Sequence, residues 1–174
     1  MSMMLEQNGV SAVVAVGSNM GRTPSVIERA LVDIADLPKS RLQHIGHWYR
    51  SQPVGGPKDQ NSYTNGALLL TTALAPLALL KHLHAIEDKH HRTRTVKDGP
   101  RTLDLDLIDY GGIAVTDNAI TLPHPRATDR AFVLLPINDF DPDYSLYEKP
   151  VSHWLADLNS TLISQCTRLS SLHG

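Results

Sequence analysis

Gly99-Pro100-Arg101-Thr102-Leu103-Asp104-Leu105-Asp106-Leu107 is the stretch on which the reading of this chain turns. As an extended strand it puts Leu103, Leu105 and Leu107 on one face and Asp104 and Asp106 on the other, because successive side chains alternate. The leucine face suits a sheet packed on a core. Two carboxylates side by side on the opposite face repel each other unless water, a cation or a positively charged group offsets the repulsion. Hard divalent ions favour such oxygen ligands, and Mg²⁺ takes one or two carboxylates and completes its shell with water and phosphate oxygens. Arg101 precedes the pair, with Arg92 and Arg94 a few residues upstream, and guanidinium groups bind phosphate in planar, bidentate geometry. Acids for a metal beside arginines for phosphate suggest a metal–nucleotide site. A lone pair of alternating acids also arises by chance on half-exposed strands, so the flanking chain has to decide.

Upstream of the pair, residues 89–99 are basic and lack apolar periodicity. They read either as a solvated loop or as an arm that closes over phosphates. Pro76 opens a helix whose buried side is expected at Leu77, Leu80, Leu83 and Ile86, with His84 and Glu87 three apart on a neighbouring face. Residues 63–71 form a strand with Tyr63, Asn65 and Ala67 on one side. An aromatic plate followed by an amide can stack a planar heterocycle and bond its edge, or simply pack within a sheet. Residues 50–62 hold two prolines and two glycines and read as a loop, either a binding loop or a surface connection. Residues 42–49 form a strand. Residues 11–16 form a buried strand that Gly17-Ser18-Asn19 stops, and Thr23-Pro24 starts a helix with its apolar stripe at Val26, Ile27, Ala30, Leu31 and Ile34.

Downstream, residues 108–112 signal a turn before a short strand at 113–115 and its return at 119–122. Pro123 and Pro125 fix the backbone on either side of His124. Residues 129–135 read as a short helix carrying Arg130 and Phe132 and ended by Pro136, and residues 151–158 as a last amphipathic helix. The tail to Gly174 carries no signal. The order β-α-β-β-α-β predicts an α+β, ferredoxin-like fold: a mainly antiparallel sheet with helices on its faces, plus C-terminal additions. That fold hosts many functions and cannot choose among them.

The 174 residues are read as one domain, with its body at about 11–142 and a helical extension at 143–174. Hydrophobic residues at 41% and charged residues at 20% are ordinary for a globular chain, and a net charge of −2 argues against a general binder of nucleic acid or anionic membrane. Cys166 is the single cysteine, which excludes an intrachain disulfide and a cysteine zinc site and suggests a reduced, cytoplasmic setting. The apolar run at 10–16 is too short to span a bilayer and lacks the basic start of a signal peptide. His82, His84, His90 and His91 form no closed metal-ligand pattern. No Walker-type glycine loop is present.

Several separated motifs then agree in order and spacing: Gly17-Ser-Asn, Arg50-Ser to Asp59-Gln60, Tyr63-x-Asn65, Ile86-Glu87, Arg92-x-Arg94, the segment from Gly99 to Asp106, and Leu122-Pro-His-Pro-Arg126-x3-Arg130-x-Phe132. Together they closely resemble the 6-hydroxymethyl-7,8-dihydropterin pyrophosphokinases of folate biosynthesis, over residues of about 11–142. The resemblance implies transfer of pyrophosphate from ATP to the pterin hydroxymethyl group with release of AMP. It implies two Mg²⁺ ions on Asp104 and Asp106, with Arg92 and Arg94 on a catalytic loop. Tyr63 and Phe132 would enclose the pterin, and Asn65, Asp104 and the segment Ser51, Gln52, Pro53 and Val54 would contact it. Glu87, Arg94, Arg101, Leu107, Thr121, His124 and Arg130 would bind ATP.

Some positions depart from the family pattern. His84 stands where many relatives have glutamine, Lys97 and Asp98 where others have arginine and tryptophan, and Ala119 where some are basic; the loop holding Gly55-Gly56 is one residue longer. Small-molecule substrates, a monomer, and neither nucleic acid nor membrane as partner are the accompanying expectations. Two other classes compete: a metal-dependent phosphohydrolase using the same two acids, and an RNA-binding ferredoxin-like module. The second lacks a basic-aromatic strand motif.

Overall fold

The computed structural model describes residues 9–19, 23–53, 58–90 and 102–173. Its elements run β1 (Val10–Ser18), α1 (Thr23–Ala35), β2 (Ser40–Ile45), β3 (Tyr49–Ser51), β4 (Tyr63–Thr72), α2 (Pro76–Lys89) and β5 (Asp104–Tyr110). There follow β6 (Val115–Thr116), β7 (Thr121–Leu122), α3 (Ala131–Phe140), β8 (Ser145–Leu146), β9 (Lys149–Pro150), α4 (Val151–Asp157), α5 (Ser160–Ser164) and β10 (Cys166–Arg168). The main sheet is antiparallel in the order β10-β3-β4-β1-β5, with β2 also paired to β4. β4 lies between β1 and the β2/β3 segment, and β1 lies between β4 and β5. These are the two split β-α-β units of a ferredoxin-like α+β fold.

Each face of the sheet buries its own core. On one, Ala12, Val14, Val16, Leu68 and Leu70 pack with Leu103, Leu105 and Leu107 under Ile27, Ile34, Leu79 and Leu83 of α1 and α2. On the other, Val13, Ala67 and Ile108 pack under Val133, Leu134 and Ile137 of α3 and Val151 of α4. The leucine face of the opening stretch is therefore core, as its alternation predicts. A bulge shifts the β1–β5 register so that Val14 faces Leu107 while Val13 faces Asp109. Ile108 and Asp109 consequently both address the second layer, where the Tyr144 hydroxyl donates to Asp109 Oδ2 at 2.6 Å.

Three sequence expectations are corrected here, and the silent tail gains a structure. The strand expected at 42–49 is two strands, broken at Gly46, whose N–H donates to Ala67 O at 2.8 Å. A side chain there would place its Cβ 2.5 Å from the Pro136 carbonyl oxygen, so glycine lets α3 settle against the break. Pro136 does not end a helix; α3 runs through it to Phe140, because Val133, Leu134, Pro136 and Ile137 form one buried stripe. In α2 the inward residues are Leu79, Leu83, Ile86 and Glu87, whereas Leu77 is 40% exposed. The tail is ordered structure: β10 pairs with β3, and Leu169 and Leu172 pack against the first core.

Candidate active site

The second face of the sheet is not covered along its whole length. Beyond the α3 contact, the paired strands carry a row of side chains that share one face: Asp104 on β5, Gly17 on β1, Asn65 on β4, Tyr49 on β3 and Arg168 on β10. One row deeper lie Asp106, Ala15 and Ala67; one row outward lie Tyr63, Ser51 and Cys166. A cavity of about 160 Å³ opens above this floor. Its wall is completed by Arg126, Asp129 and Arg130 before α3, by Ala131, Phe132 and Val133 in its first turn, and by Leu162 and Gln165.

Local bonds fix the floor. The Ser51 hydroxyl donates to Asn65 Oδ1, which settles that amide's orientation in a buried position. Gly17 lies beneath it: a Cβ there would sit 3.2 Å from Asn65 Nδ2 and 4.0 Å from both Tyr63 and Asp104. The missing side chain therefore leaves room among three site residues. Ser18 donates to the Thr102 carbonyl, tying the end of β1 to the lead into β5. Asn19 Nδ2 donates to Asn61 O at 3.0 Å and holds the returning end of the 52–62 connection. Arg130 places its guanidinium carbon 5.6 Å from the centre of the Phe132 ring, within cation–π reach.

The expected site residues divide cleanly by position. Ser51, Gln52, Tyr63, Asn65, Asp104, Asp106, Arg130 and Phe132 all line the cavity. Glu87 is 1% exposed and accepts the Leu105 N–H at 2.8 Å, so it braces β5 from the helix layer. Leu107 buries its side chain in the first core and offers the cavity face no side chain. Thr121 lies in β7, and Pro53 and His124 stand outside the cavity lining. Val54, Arg92, Arg94 and Arg101 lie outside the described residues. Gly17 and Arg126, which the motifs contain without a stated role, also line the cavity, as do Asp129, Leu162, Gln165 and Cys166, to which the sequence reading gave no place in the site.

Two carboxylates on one face of a strand fit Mg²⁺ that leaves most of its shell to water and phosphate. Among the described residues, no group of three or more His, Cys, Asp or Glu side chains gathers into a fuller protein cage. Exogenous oxygen ligands would have to complete the shell.

His124 has its pKa held below the ordinary histidine value, chiefly by burial and then by the positive charges of Arg130 and Arg126, with Asp104 opposing them. Its Nδ1 accepts the Arg126 N–H at 3.2 Å. The unfolded chain therefore binds a proton more readily than the folded one. Stability is expected to fall as pH drops below about 6.5 and to level off under the depressed folded value. Urea midpoints at pH 8 and pH 5 test this: His124→Gln should show a smaller acid loss than the wild type, and an equal loss would refute it.

The sequence model of the 7,8-dihydro-6-hydroxymethylpterin-pyrophosphokinase family matches residues 13–142. The chain belongs to this family. A Pseudomonas aeruginosa relative named 2-amino-4-hydroxy-6-hydroxymethyldihydropteridine pyrophosphokinase is 42% identical over 133 residues, covering 76% of this chain and 82% of the relative. One of the same name from Synechocystis is 41% identical over 133 residues, covering 76% and 67%. A Lactococcus lactis bifunctional protein, FolKE, is 35% identical over 147 residues, which span 84% of this chain but 42% of that protein. Among solved structures, wild-type Plasmodium falciparum HPPK-DHPS with pterin and p-hydroxybenzoate superposes with a TM-score of 0.70 at 13% identity, over 94% of this chain and 45% of that one. At that identity the match speaks for the fold alone, and it agrees with the split β-α-β order. No described helix is long and apolar enough to cross a membrane.

Proposed function

We infer that this chain transfers the pyrophosphoryl group of ATP to 6-hydroxymethyl-7,8-dihydropterin, releasing AMP, as a step of folate biosynthesis. The observation that carries the reading is the shared cavity face: Asp104 and Asp106 stand on one strand, two strands from Tyr63 and Asn65, in a chain whose residues 13–142 match the family. Tyr63 and Phe132 both line the cavity and would take a planar heterocycle between them, with the oriented Asn65 amide at its edge. In the reaction the hydroxymethyl oxygen forms a bond to the β-phosphorus while the bond from that phosphorus to the α–β bridging oxygen breaks.

Such transfers depend on alignment and charge stabilisation more than on covalent help from the protein. Asp104 and Asp106 would hold Mg²⁺, which when bound neutralises triphosphate charge and draws the reacting oxygens into line. Arg130 would supply positive charge for phosphate on the opposite wall, and its contact with the Phe132 ring sets that charge beside the ring site. Phe132 and Tyr63 exclude water from the attacked phosphorus. Arg92, Arg94 and Arg101 are read as further phosphate ligands, and Cys166 as the sole cysteine fits a cytoplasmic enzyme.

Chromatographic product analysis with ATP, Mg²⁺ and the pterin tests the reaction. AMP and pterin diphosphate should appear one for one and require Mg²⁺; ADP or free phosphate as the product would overturn it. The space above Gly17 gives a second test. Gly17→Val should raise the pterin KM by about tenfold or more, because its branches enter the gap between Asn65, Asp104 and Tyr63. An unchanged pterin KM would show that the ring does not lie over this floor.

A further inference from the structure

We propose that α5 and β10 form the outer wall of the pterin subsite, with Leu162, Gln165 and Cys166 meeting the pyrimidine edge of the ring. The proposal rests on the function inferred above and adds a part of the chain beyond residue 142, where the family match ends. It begins from strand register. Cys166 pairs with Ser51 and Ser51 with Tyr63, so the three share the cavity face in one row. Adjacent strands lie about 4.8 Å apart, which puts β10 roughly 10 Å from β4.

The orientation of the ring follows from where the chemistry is. Asp104 and Asp106 stand on β5, at the opposite end of the floor from β10. The hydroxymethyl group must approach that end to reach the phosphates. A bicyclic pterin carries this group on its pyrazine ring, so the amino, N–H and oxo groups of the pyrimidine point the other way, toward β3 and β10.

The wall has chemistry suited to that edge. Gln165 offers a carboxamide, which both donates and accepts and so matches alternating donors and acceptors. Leu162 gives apolar cover. Burial pushes the Cys166 thiol above its ordinary pKa, so it meets the ring as a neutral group. The Ser51 hydroxyl already donates to Asn65, so the β10 side adds donors and acceptors beyond those of Ser51 and Asn65.

The segment is also firmly placed. Leu169 N–H donates to Trp48 O at 2.8 Å, the Asn159 side chain caps α5 through Thr161 N–H at 2.8 Å, and Leu169 and Leu172 pack on the first core.

Because Cys166 is the only cysteine, its alkylation by iodoacetamide can be followed by intact mass. With Mg²⁺ and a non-hydrolysable ATP analogue present, adding the pterin should slow alkylation about tenfold, since the ring covers the thiol. Gln165→Ala, at an exposed position that leaves folding intact, should raise the pterin KM by about tenfold with kcat and the ATP KM nearly unchanged. Unchanged alkylation by pterin in an enzyme that turns over, or an unchanged pterin KM in the variant, would overturn the wall while leaving the reaction standing. A folded protein that neither binds pterin nor forms its diphosphate would instead sink the function reading, and the wall with it.

Discussion

Asp106→Ala is expected to lose at least about a thousandfold in kcat while keeping a cooperative urea unfolding transition. The two halves of that result have separate causes. Asp106 faces the cavity opposite Ala15 and contributes nothing to either apolar core. Its removal leaves the apolar packing of both cores intact, so the fold should persist. Turnover loses one of the strand's two neighbouring carboxylates, and among the described residues no group of three or more His, Cys, Asp or Glu side chains offers a metal a fuller set. Arginines can attract the triphosphate but would not supply the compact double charge of a cation held by the two carboxylates. Product formation by chromatography, beside urea unfolding, measures both halves. Activity near wild type would refute the metal role, and a large stability loss would show that Asp106 works structurally.

The sequence made the floor of the site legible and left its rim obscure. Leu103, Leu105 and Leu107 alternate with Asp104 and Asp106 over enough residues that only a strand satisfies both faces, and that one inference places the acids. The β-α-β-β-α-β order was equally readable, since α1 has a helical stripe and the short apolar run of β1 is stopped by Gly17-Ser18-Asn19. What failed depended on distant partners. Gly46 breaks a strand because α3 packs there, and Pro136 stays helical because its neighbours form a buried stripe. Leu77, Leu79, Leu80 and Leu83 allow more than one helical stripe, and only the sheet beneath selects Leu79 and Leu83. β10 is three residues long and mostly polar, so nothing local announces that it extends the site's sheet. Gln165 is one polar residue among many in a tail without pattern, and only the pairing of β10 with β3 brings it to the cavity.

Glu87→Ala should lower stability by about 3 kcal/mol, a fall of roughly 6 to 12 °C in melting temperature for a chain of this size, and reduce kcat as well. Among the described residues β5 is an edge strand in the sheet order and pairs with β1 alone. Leu105, between Asp104 and Asp106, donates its N–H to the buried Glu87 carboxylate at 2.8 Å. The helix thus supplies the acceptor that a further strand would otherwise provide. Alanine leaves that N–H without its acceptor and opens a cavity beneath the strand. The edge then loosens at the two residues whose spacing the reaction depends on. Glu87→Gln retains a carbonyl acceptor of the same length, so it should recover most of the melting temperature and most of kcat. Differential scanning calorimetry and steady-state rates on both variants decide the matter. If glutamine restores stability but not activity, Glu87 acts through its charge on the nucleotide; if it restores both, Glu87 acts by holding β5 in place.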